Sequence, residues 1–212
     1  MKSFDPSCEL CPRIVSQLRV IKSKHPEYHA APVPAFGSDN PLLMIVGLAP
    51  GMHGANATGR PFTGDYAGIL LYETLYKYGF SNQPQATGKN DGLVLNDCYI
   101  TNAVKCLPPG NKPNGQEIKQ CNGYLEYEIR KINGNCIILV LGRIAHNAVL
   151  KALKLKQSDY TFGHNVCHGL ADNRWLLDSY HCSRYNTQTR RLTETMFHDI
   201  FSNIHDILNV TK

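Results

Sequence analysis

Residues 42–68 read LLMIVGLAPGMHGANATGRPFTGDYAG, and they predict a buried strand that ends in a long glycine-rich loop. The run LLMIV is apolar at successive positions, which is typical of a strand covered on both faces. Loops of this composition after a strand commonly hold a phosphate group. This loop also carries an aromatic side chain, Phe62, and a carboxylate, Asp65. The stretch therefore predicts a binding site at the end of the first strand.

Three more apolar runs predict further strands of the same sheet. Together with the first, they cover residues 42–48, 98–104, 136–141 and 175–180. Helical patterns alternate with them at residues 66–78, 115–131, 143–153 and 194–208, and a short helix is predicted at 11–24. This alternation predicts an α/β fold with three αβα layers around a central four-stranded, mostly parallel sheet. Because ligands bind beyond the carboxyl ends of such strands, the informative loops are 47–65, 102–113 and 181–192.

Length and composition favour one domain in the cytoplasm. The 212 residues suit a single core, so residues 1–212 are predicted to form one domain, to which residues 1–24 add two cysteines. The 22 Lys and Arg against 17 Asp and Glu give a net charge of +5, which permits an anionic partner without requiring one. The sequence shows neither a hydrophobic signal core nor an apolar run of about 20 residues, so no membrane association is expected.

Eight cysteines favour a metal site over disulfides in that reducing compartment. The sequence CELC contains Cys8 and Cys11, and fourteen residues separate a second pair, Cys106 and Cys121. Four thiolates suit Zn²⁺ or a [4Fe–4S] cluster, and ligand type alone does not separate the two. The other four lie within or beside predicted strands: Cys98, Cys136, Cys167 and Cys182. For at least Cys98 and Cys136, a role as a small buried hydrophobic residue is the favoured interpretation.

Two further loops carry polar residues at the same predicted edge of the sheet. The loop HCSRYNTQTRRLT, residues 181–193, begins with His181, which can donate a hydrogen bond or carry charge near neutral pH. Its small polar side chains suit phosphate oxygens: Ser183, Asn186, Thr187 and Thr189. Its arginines add positive charge: Arg184, Arg190 and Arg191. Asn102 ends the second strand, and its amide offers a donor and an acceptor that match one edge of a nucleobase. Considered separately, a solvated turn explains the 181–193 loop, and a structural amide explains Asn102, at least as well as a ligand site does.

Taken together, the motifs resemble those of the iron–sulfur uracil-DNA glycosylases, most closely the family 5, or B-type, group. The resemblance rests on GLAPG and GRPFTGDYAG, on YITNAVKCLPP, on the pattern H-x-S-x-x-N-T-x-T, and on the two cysteine pairs. These motifs follow one another in the family's order and spacing over nearly the whole chain. Two positions depart from the usual pattern: Cys182 replaces a proline after the histidine, and Arg190 replaces a common glycine. Neither departure removes a group assigned to chemistry.

The resemblance implies the uracil-DNA glycosylase fold and a monofunctional glycosylase. Such an enzyme hydrolyses the N-glycosidic bond of uracil, and of other deaminated bases such as hypoxanthine, in DNA, and so begins base excision repair. DNA containing these bases is then the partner, and a monomer working at the nucleoid is the simplest expectation. The resemblance also implies a [4Fe–4S] cluster, with zinc as the alternative, held by the two pairs Cys8, Cys11, Cys106 and Cys121.

The resemblance further implies roles for individual side chains. Phe62 would stack on the flipped base, Asn102 would read its edge, and His181 would stabilise the departing anion. Asp65 would orient the attacking water or stabilise the cationic sugar. Three small residues would line the base pocket: Gly47, Ala49 and Gly51. The last loop would grip DNA, with one of its final two residues filling the gap left by the base: Ser183, Arg184, Asn186, Arg190, Arg191 and Leu192.

Other interpretations stay open from the sequence alone. Phe62 and His181 also fit structural roles, and Asp65 directly precedes a predicted helix that it could cap while acting in chemistry as well. A nucleotide-binding enzyme would use the first loop as a phosphate cradle, but the GxxxxGK[ST] and GxGxxG patterns are missing. A non-catalytic nucleic-acid-binding module would need only the basic loop and a structural metal.

Overall fold

Helices and strands alternate along the chain as the hydrophobic pattern predicts. The computed structural model describes residues 3–132 and 134–210. Its helices are α1 (Pro12–Lys24), α2 (Ala55–Thr58), α3 (Tyr66–Lys77), α4 (Gly115–Lys131), α5 (Arg143–Ala152), α6 (Arg184–Gln188) and α7 (Glu194–Val210). The five longer ones confirm the predicted helices to within two residues at either end. Across the described residues, none has the length and apolar character needed to cross a membrane.

One sheet lies at the centre of the described chain. Its strands are β1 (Phe36–Gly37), β2 (Leu43–Gly47), β3 (Cys98–Asn102), β4 (Ile137–Leu141), β5 (Cys167–Gly169) and β6 (Trp175–Ser179), in the spatial order β1-β3-β2-β4-β6-β5. The four inner strands run parallel, and each edge strand pairs antiparallel with its neighbour. The predicted α/β class and the four predicted parallel strands are confirmed.

The sheet is wider than the predicted four strands because of its two edges. β1 has two residues and β5 has three, which is too short for any hydrophobic period to appear in the sequence. They form through pairing with a longer neighbour, as Phe36 does with Ile100 and His168 does with Leu176. Short antiparallel edges of this kind protect a parallel sheet from further pairing.

Apolar side chains on the two faces of the sheet form two separate cores. Leu43 and Ile45 of β2 pack with α3 and α7 on one face. Met44 and Val46 point the other way and pack with α4 and α5. Alternate residues of a strand face opposite sides, so a strand covered on both sides must be apolar throughout. This explains the run LLMIV and confirms the three layers.

The register of the parallel strands decides where the functional loops meet. Gly47, the last residue of β2, is the direct neighbour of Asn102, the last residue of β3. β4 and β6 continue the same register, with Leu141 beside Ser179. The loops that follow β2, β3 and β6 therefore leave the sheet at the same edge, where a ligand site is expected.

Candidate active site

A pocket of about 350 Å³ opens beyond the carboxyl ends of β2, β3 and β6. This volume lies in the range of pockets that hold small molecules. All three predicted loops contribute to its lining, which consists of Leu48, Ala49, Pro50, Gly51, Ala55, Phe62, Asp65, Ala67, Asn102, Asn111, His181 and Ser183. The structure therefore brings together the four side chains singled out for chemistry, although they come from distant parts of the chain.

Phe62 forms a flat, buried wall of the pocket. Its ring stacks on the ring of His181, with the centroids 6.0 Å apart and an angle of 28° between the planes. Its backbone has a φ of +53°, in the left-handed region that residues with a side chain rarely adopt. A conformation of this kind persists only where neighbouring contacts hold it.

Contacts before Phe62 supply that support. The hydroxyl of Tyr72 in α3 donates to the carbonyl oxygen of Pro61 at 2.8 Å. The buried guanidinium of Arg60 donates to both carboxylate oxygens of Asp91, at 2.9 and 2.5 Å. This pairing holds the pKa of Asp91 well below its usual range. The aromatic wall is thus fixed by bonds to two other parts of the fold.

Asn102 lines the pocket beside this wall, and Gly47, which is not part of the lining, lies against both side chains. Asn102 is only 4% exposed, and it ends β3 where the strand meets the pocket. A Cβ on Gly47 would collide with Asn102 Oδ1 and would lie 2.6 Å from Phe62 Cζ. Only glycine at position 47 leaves room for the amide and the ring to lie side by side.

The two carboxylate oxygens of Asp65 have different surroundings. Oδ1 accepts the backbone N–H of Gly68 at 3.0 Å and caps α3, so the capping interpretation is correct for this oxygen. Oδ2 faces the first loop, because a Cβ on Gly54 would collide with it and one on Gly51 would lie 3.4 Å away. Burial raises the pKa of Asp65, and backbone N–H groups of Gly68 and Ala67 partly oppose that rise. Helix capping therefore leaves one oxygen for the pocket.

His181 follows β6 and presents a neutral imidazole. Its Nδ1 atom is buried and has no hydrogen-bond partner among the described residues. Burial lowers the pKa of His181 to about 4, so the ring is uncharged at pH 7. The Asn186 amide donates to the carbonyl oxygen of His181 at 2.8 Å, which fixes the backbone and engages a side chain predicted to contact DNA. A half-buried imidazole whose buried Nδ1 has no partner in the described chain is suited to a hydrogen bond with a ligand.

The rest of the loop after β6 divides into inward and outward side chains. Ser183 lines the pocket and caps α6, where its hydroxyl accepts the backbone N–H of Asn186 at 3.4 Å. Three arginines are exposed to solvent: Arg184, Arg190 and Arg191. Leu192 is 0% exposed and belongs to the core that contains α7. The expectation that Leu192 enters DNA does not fit this burial, and Arg191 is the candidate that stays accessible.

Motif analysis missed several residues at this site. Asn111 lines the pocket from the loop between the second cysteine pair and has a φ of +56°. Its loop CLPPGNKPNG is visibly a turn-rich segment, but the sequence does not show which part of the fold it reaches. Tyr66 and Tyr185 do not line the pocket, but they are 42% and 71% exposed and follow the lining residues Asp65 and Ser183 by one and two positions in the sequence. An exposed aromatic residue inside a polar motif is the signal that could have indicated them.

The paired cysteines line a second, small cavity. Cys11 precedes the first residue of α1, Cys106 follows β3, and Cys121 lies in α4, where its sulfur accepts the backbone N–H of Lys105 at 3.2 Å. Cys8 completes the lining, which is otherwise mostly apolar. Burial, followed by the neighbouring cysteine thiols, raises the pKa of Cys106 well above its usual range. Two pairs separated by about 100 residues therefore face one space.

The chemistry of this cavity fits a sulfur-ligated metal group. Four cysteines in apolar surroundings form the donor set of structural zinc and of iron–sulfur clusters. In residues 3–132 and 134–210, no three His, Cys, Asp or Glu side chains stand close enough to form a single-ion site as they are. The remaining cysteines lie outside this cavity and are buried or half-buried: Cys98, Cys136, Cys167 and Cys182.

Comparison with known proteins adds independent information. A family model described as the uracil DNA glycosylase superfamily matches residues 34–205. A Type-5 uracil-DNA glycosylase of Thermus thermophilus is 42% identical over 199 residues, which cover 92% of this chain and 90% of that protein. Another from Pyrobaculum aerophilum is 38% identical over 191 residues, covering 88% and 83%. A Type-4 uracil-DNA glycosylase of Archaeoglobus fulgidus matches over 125 residues, 58% of this chain, at 34% identity.

Proposed function

This chain belongs to the uracil DNA glycosylase superfamily, and we propose that it removes uracil from DNA as a type-5 enzyme. The reaction hydrolyses the bond between the base and C1′ of the sugar and leaves free uracil and an abasic site, which begins base excision repair. One observation carries the proposal: an aromatic wall, an amide, a neutral histidine and a carboxylate oxygen meet in one pocket. A flipped base and its sugar need this combination of groups.

The base is held and activated by three side chains. Phe62 stacks on its face, and the Asn102 amide bonds the edge that carries a carbonyl oxygen and an N–H. As the C1′–N bond breaks, its electron pair passes to the base and negative charge grows on the uracil oxygens. The neutral ring of His181 donates an N–H to one of these oxygens, and a fixed donor of this kind is most effective where charge develops.

Asp65 acts on the attacking water and on the sugar. Its Oδ2 orients a water molecule toward C1′ and accepts the proton as the water oxygen bonds to the sugar. The same negative charge stabilises the cation that forms on the sugar in the transition state. Because Oδ1 is bound to the N-terminus of α3, the carboxylate has one fixed orientation. Ser183 and the exposed arginines of the loop after β6 contact the phosphates on either side.

Replacement of Gly47 by alanine is expected to lower kcat/KM for uracil release at least about tenfold, because its Cβ would displace Asn102 and Phe62. Gly88→Ala is the matched control, since a Cβ at that position meets no atom within 4 Å. Single-turnover rates and melting temperatures of both variants provide the test. A Gly47→Ala protein with the wild-type rate would show that the amide and the ring do not form the base pocket.

The pocket also supports a proposal on the range of bases. Three of its lining residues are small, which leaves room for a base larger than a pyrimidine: Ala49, Gly51 and Ala55. Hypoxanthine and other deaminated purines are therefore proposed as additional substrates. A panel of oligonucleotides carrying uracil, hypoxanthine, xanthine and ethenocytosine tests this. Cleavage of the uracil strand alone would restrict the enzyme to pyrimidines.

We further propose that the second cavity binds a [4Fe–4S] cluster through Cys8, Cys11, Cys106 and Cys121. A cluster is proposed over one zinc ion because the sequence resembles that of the iron–sulfur uracil-DNA glycosylases at both cysteine pairs. Hydrolysis needs no electron transfer, so the group would have a structural role. It would tie the N-terminal segment to the loop that carries Asn111 into the pocket, a connection that Arg13 reinforces by donating to the Lys112 carbonyl at 3.1 Å.

Protein purified without oxygen is expected to be brown and to contain about four iron and four sulfide per chain. Cys121→Ser should lose most of this iron, whereas Cys167→Ser, outside the cavity, should keep it. Metal analysis and visible absorption give the readout independently of activity. A colourless protein with one zinc per chain would contradict the assignment.

The proposed reaction is tested with an end-labelled oligonucleotide that contains one uracil. Treatment with alkali after incubation should break the strand at that position, because abasic sites are alkali-labile. Binding without strand breaks would instead favour a nucleic-acid-binding module with a structural metal. A monomer acting in the cytoplasm at the nucleoid remains the proposed state, and sedimentation of the protein with and without DNA checks it.

A further inference from the structure

We propose that Lys105 is a positioning residue: its buried ammonium group joins the end of β3, which carries Asn102, to α4, and so fixes the Asn102 amide for the edge of the base. Lys105 lines the cysteine cavity and not the base pocket, so it acts through Asn102. The inference rests on the proposed function and adds to it a residue that holds the base-reading amide in place.

Lys105 belongs to a buried polar triangle with Thr101 and Glu128. Its ammonium group donates to Thr101 Oγ1 at 2.5 Å and to Glu128 Oε2 at 2.6 Å. The Thr101 hydroxyl donates to the same carboxylate oxygen at 3.0 Å. All three side chains are buried, and Lys105 is only 2% exposed. This burial excludes contact between Lys105 and DNA phosphates, the usual partners of lysine in a DNA-binding protein.

Stability alone does not explain the polar triangle. Moving two charges out of water is costly, and apolar residues of similar volume often stabilise a core equally well or better. A buried ion pair can instead specify one arrangement of the chain. Because Thr101 belongs to β3 and Glu128 belongs to α4, the arrangement specified here is that of the strand end relative to the helix.

The position of the Asn102 amide depends on the backbone that carries it. Within the described part of the chain, no hydrogen bond holds the Asn102 side chain itself. The N–H of Ala103 donates to the carbonyl oxygen of Gly47 at 2.9 Å, which ties the backbone to β2. Lys105 reaches back four residues to the Thr101 hydroxyl, which ties the same turn to α4. The turn around Asn102 is therefore held from two directions.

α4 is attached to this turn at two points. Cys121 and Glu128 lie seven residues apart, on one face of the helix, because 3.6 residues make a turn. The Cys121 sulfur accepts the N–H of Lys105, and Glu128 accepts its ammonium group. The carbonyl oxygen of Lys105 also accepts the N–H of Val33 at 2.7 Å. Lys105 therefore connects the wall of the cysteine cavity to the end of β3.

Combining Thr101→Val, Lys105→Met and Glu128→Met in one protein tests the proposal. The three changes keep the volume and remove every polar group of the triangle together, so the melting temperature should equal that of the wild type or exceed it. The kcat/KM for uracil release is expected to fall about tenfold or more, because small displacements of a positioned group slow a reaction strongly. Asn122→Leu is the matched control and should keep the wild-type rate, since Asn122 is 7% exposed on the same helix but donates to Ala148 of α5.

A double-mutant cycle determines whether the loss passes through Asn102. In an Asn102→Ala background, the triple variant should lose less than about twofold more, because the amide that the triangle positions is already gone. Thr101→Val alone leaves the ion pair in place and should lose about threefold, with the same dependence on Asn102. This single variant decides the question if the triple variant fails to fold or to keep the proposed cluster, as measured by melting and iron content.

A wild-type rate in the folded triple variant would overturn the proposal. Equal fold losses in the wild-type and Asn102→Ala backgrounds would also overturn it, since the polar triangle would then act without Asn102. A wild-type protein that releases no uracil would instead contradict the proposed function. Because the wild-type rate is measured in the same assay, the two failures are distinguishable.

Discussion

Asp65→Asn is expected to slow uracil release by about 100-fold or more in single-turnover assays while leaving α3 intact. Asparagine keeps a side-chain acceptor for the Gly68 N–H, and asparagine and aspartate are similarly good helix caps. The variant loses only the charge on the oxygen that faces Gly51 and Gly54. It therefore separates the chemical role of Asp65 from its capping role.

Stability measurements complete this test. Burial raises the pKa of Asp65 above its unfolded value, so the ionised carboxylate reduces the stability of the fold as the pH rises through that pKa. At pH 7 Asp65→Asn should therefore melt at the same temperature as the wild type or higher. Asp65→Ala removes the cap as well and should cost about 1 kcal/mol of stability. A wild-type cleavage rate in folded Asp65→Asn would leave Asp65 as a helix cap alone.

His181→Leu is expected to slow uracil release by about 100-fold, because the departing base loses a fixed hydrogen-bond donor. Leucine has comparable bulk, so the ring of Phe62 should keep a neighbour on the face that now stacks on His181. His181→Gln, which restores an N–H donor, should recover part of the rate. Equal losses in both variants would show that His181 supports the pocket without bonding the base.

The pH dependence of the same comparison reports the charge of His181. With a pKa of about 4, the imidazole stays neutral at every pH from 5.5 to 8. The ratio of the wild-type rate to the His181→Leu rate should then be constant across that range, because protonation of Asp65 affects both proteins alike. An ordinary histidine would be half protonated near pH 6.5. A step in the ratio near that value would contradict a neutral donor.

Much of the fold could be predicted from hydrophobic pattern because the inner strands are covered on both faces. A strand such as β2, with Leu43 to Val46 buried on alternate sides, can only be continuously apolar. Once the strands are parallel, their carboxyl ends lie at one edge of the sheet, and this places Asn102 next to Gly47 and allows Asn102 and His181 to line the same pocket. The pocket was therefore predictable as a place where particular loops converge.

What escaped prediction depends on contacts that the local sequence does not encode. β1 and β5 exist only through pairing with a longer strand. The family resemblance placed both Arg191 and Leu192 toward DNA, but the apolar side chain of Leu192 packs in the core and only Arg191 is exposed. The strained backbone of Phe62 depends on a bond between Arg60 and Asp91, which lie 31 residues apart. The division of tasks between the two oxygens of Asp65 likewise appears only in three dimensions.

The most direct measurement follows a uracil-containing oligonucleotide in water enriched in oxygen-18. Mass spectrometry of the products should find one free uracil for each abasic site, with no heavy oxygen in the base. This outcome is expected because water attacks the sugar and the uracil leaves unchanged. An oligonucleotide that remains intact after incubation with an excess of metal-loaded, folded protein would contradict the assignment of this pocket to uracil removal.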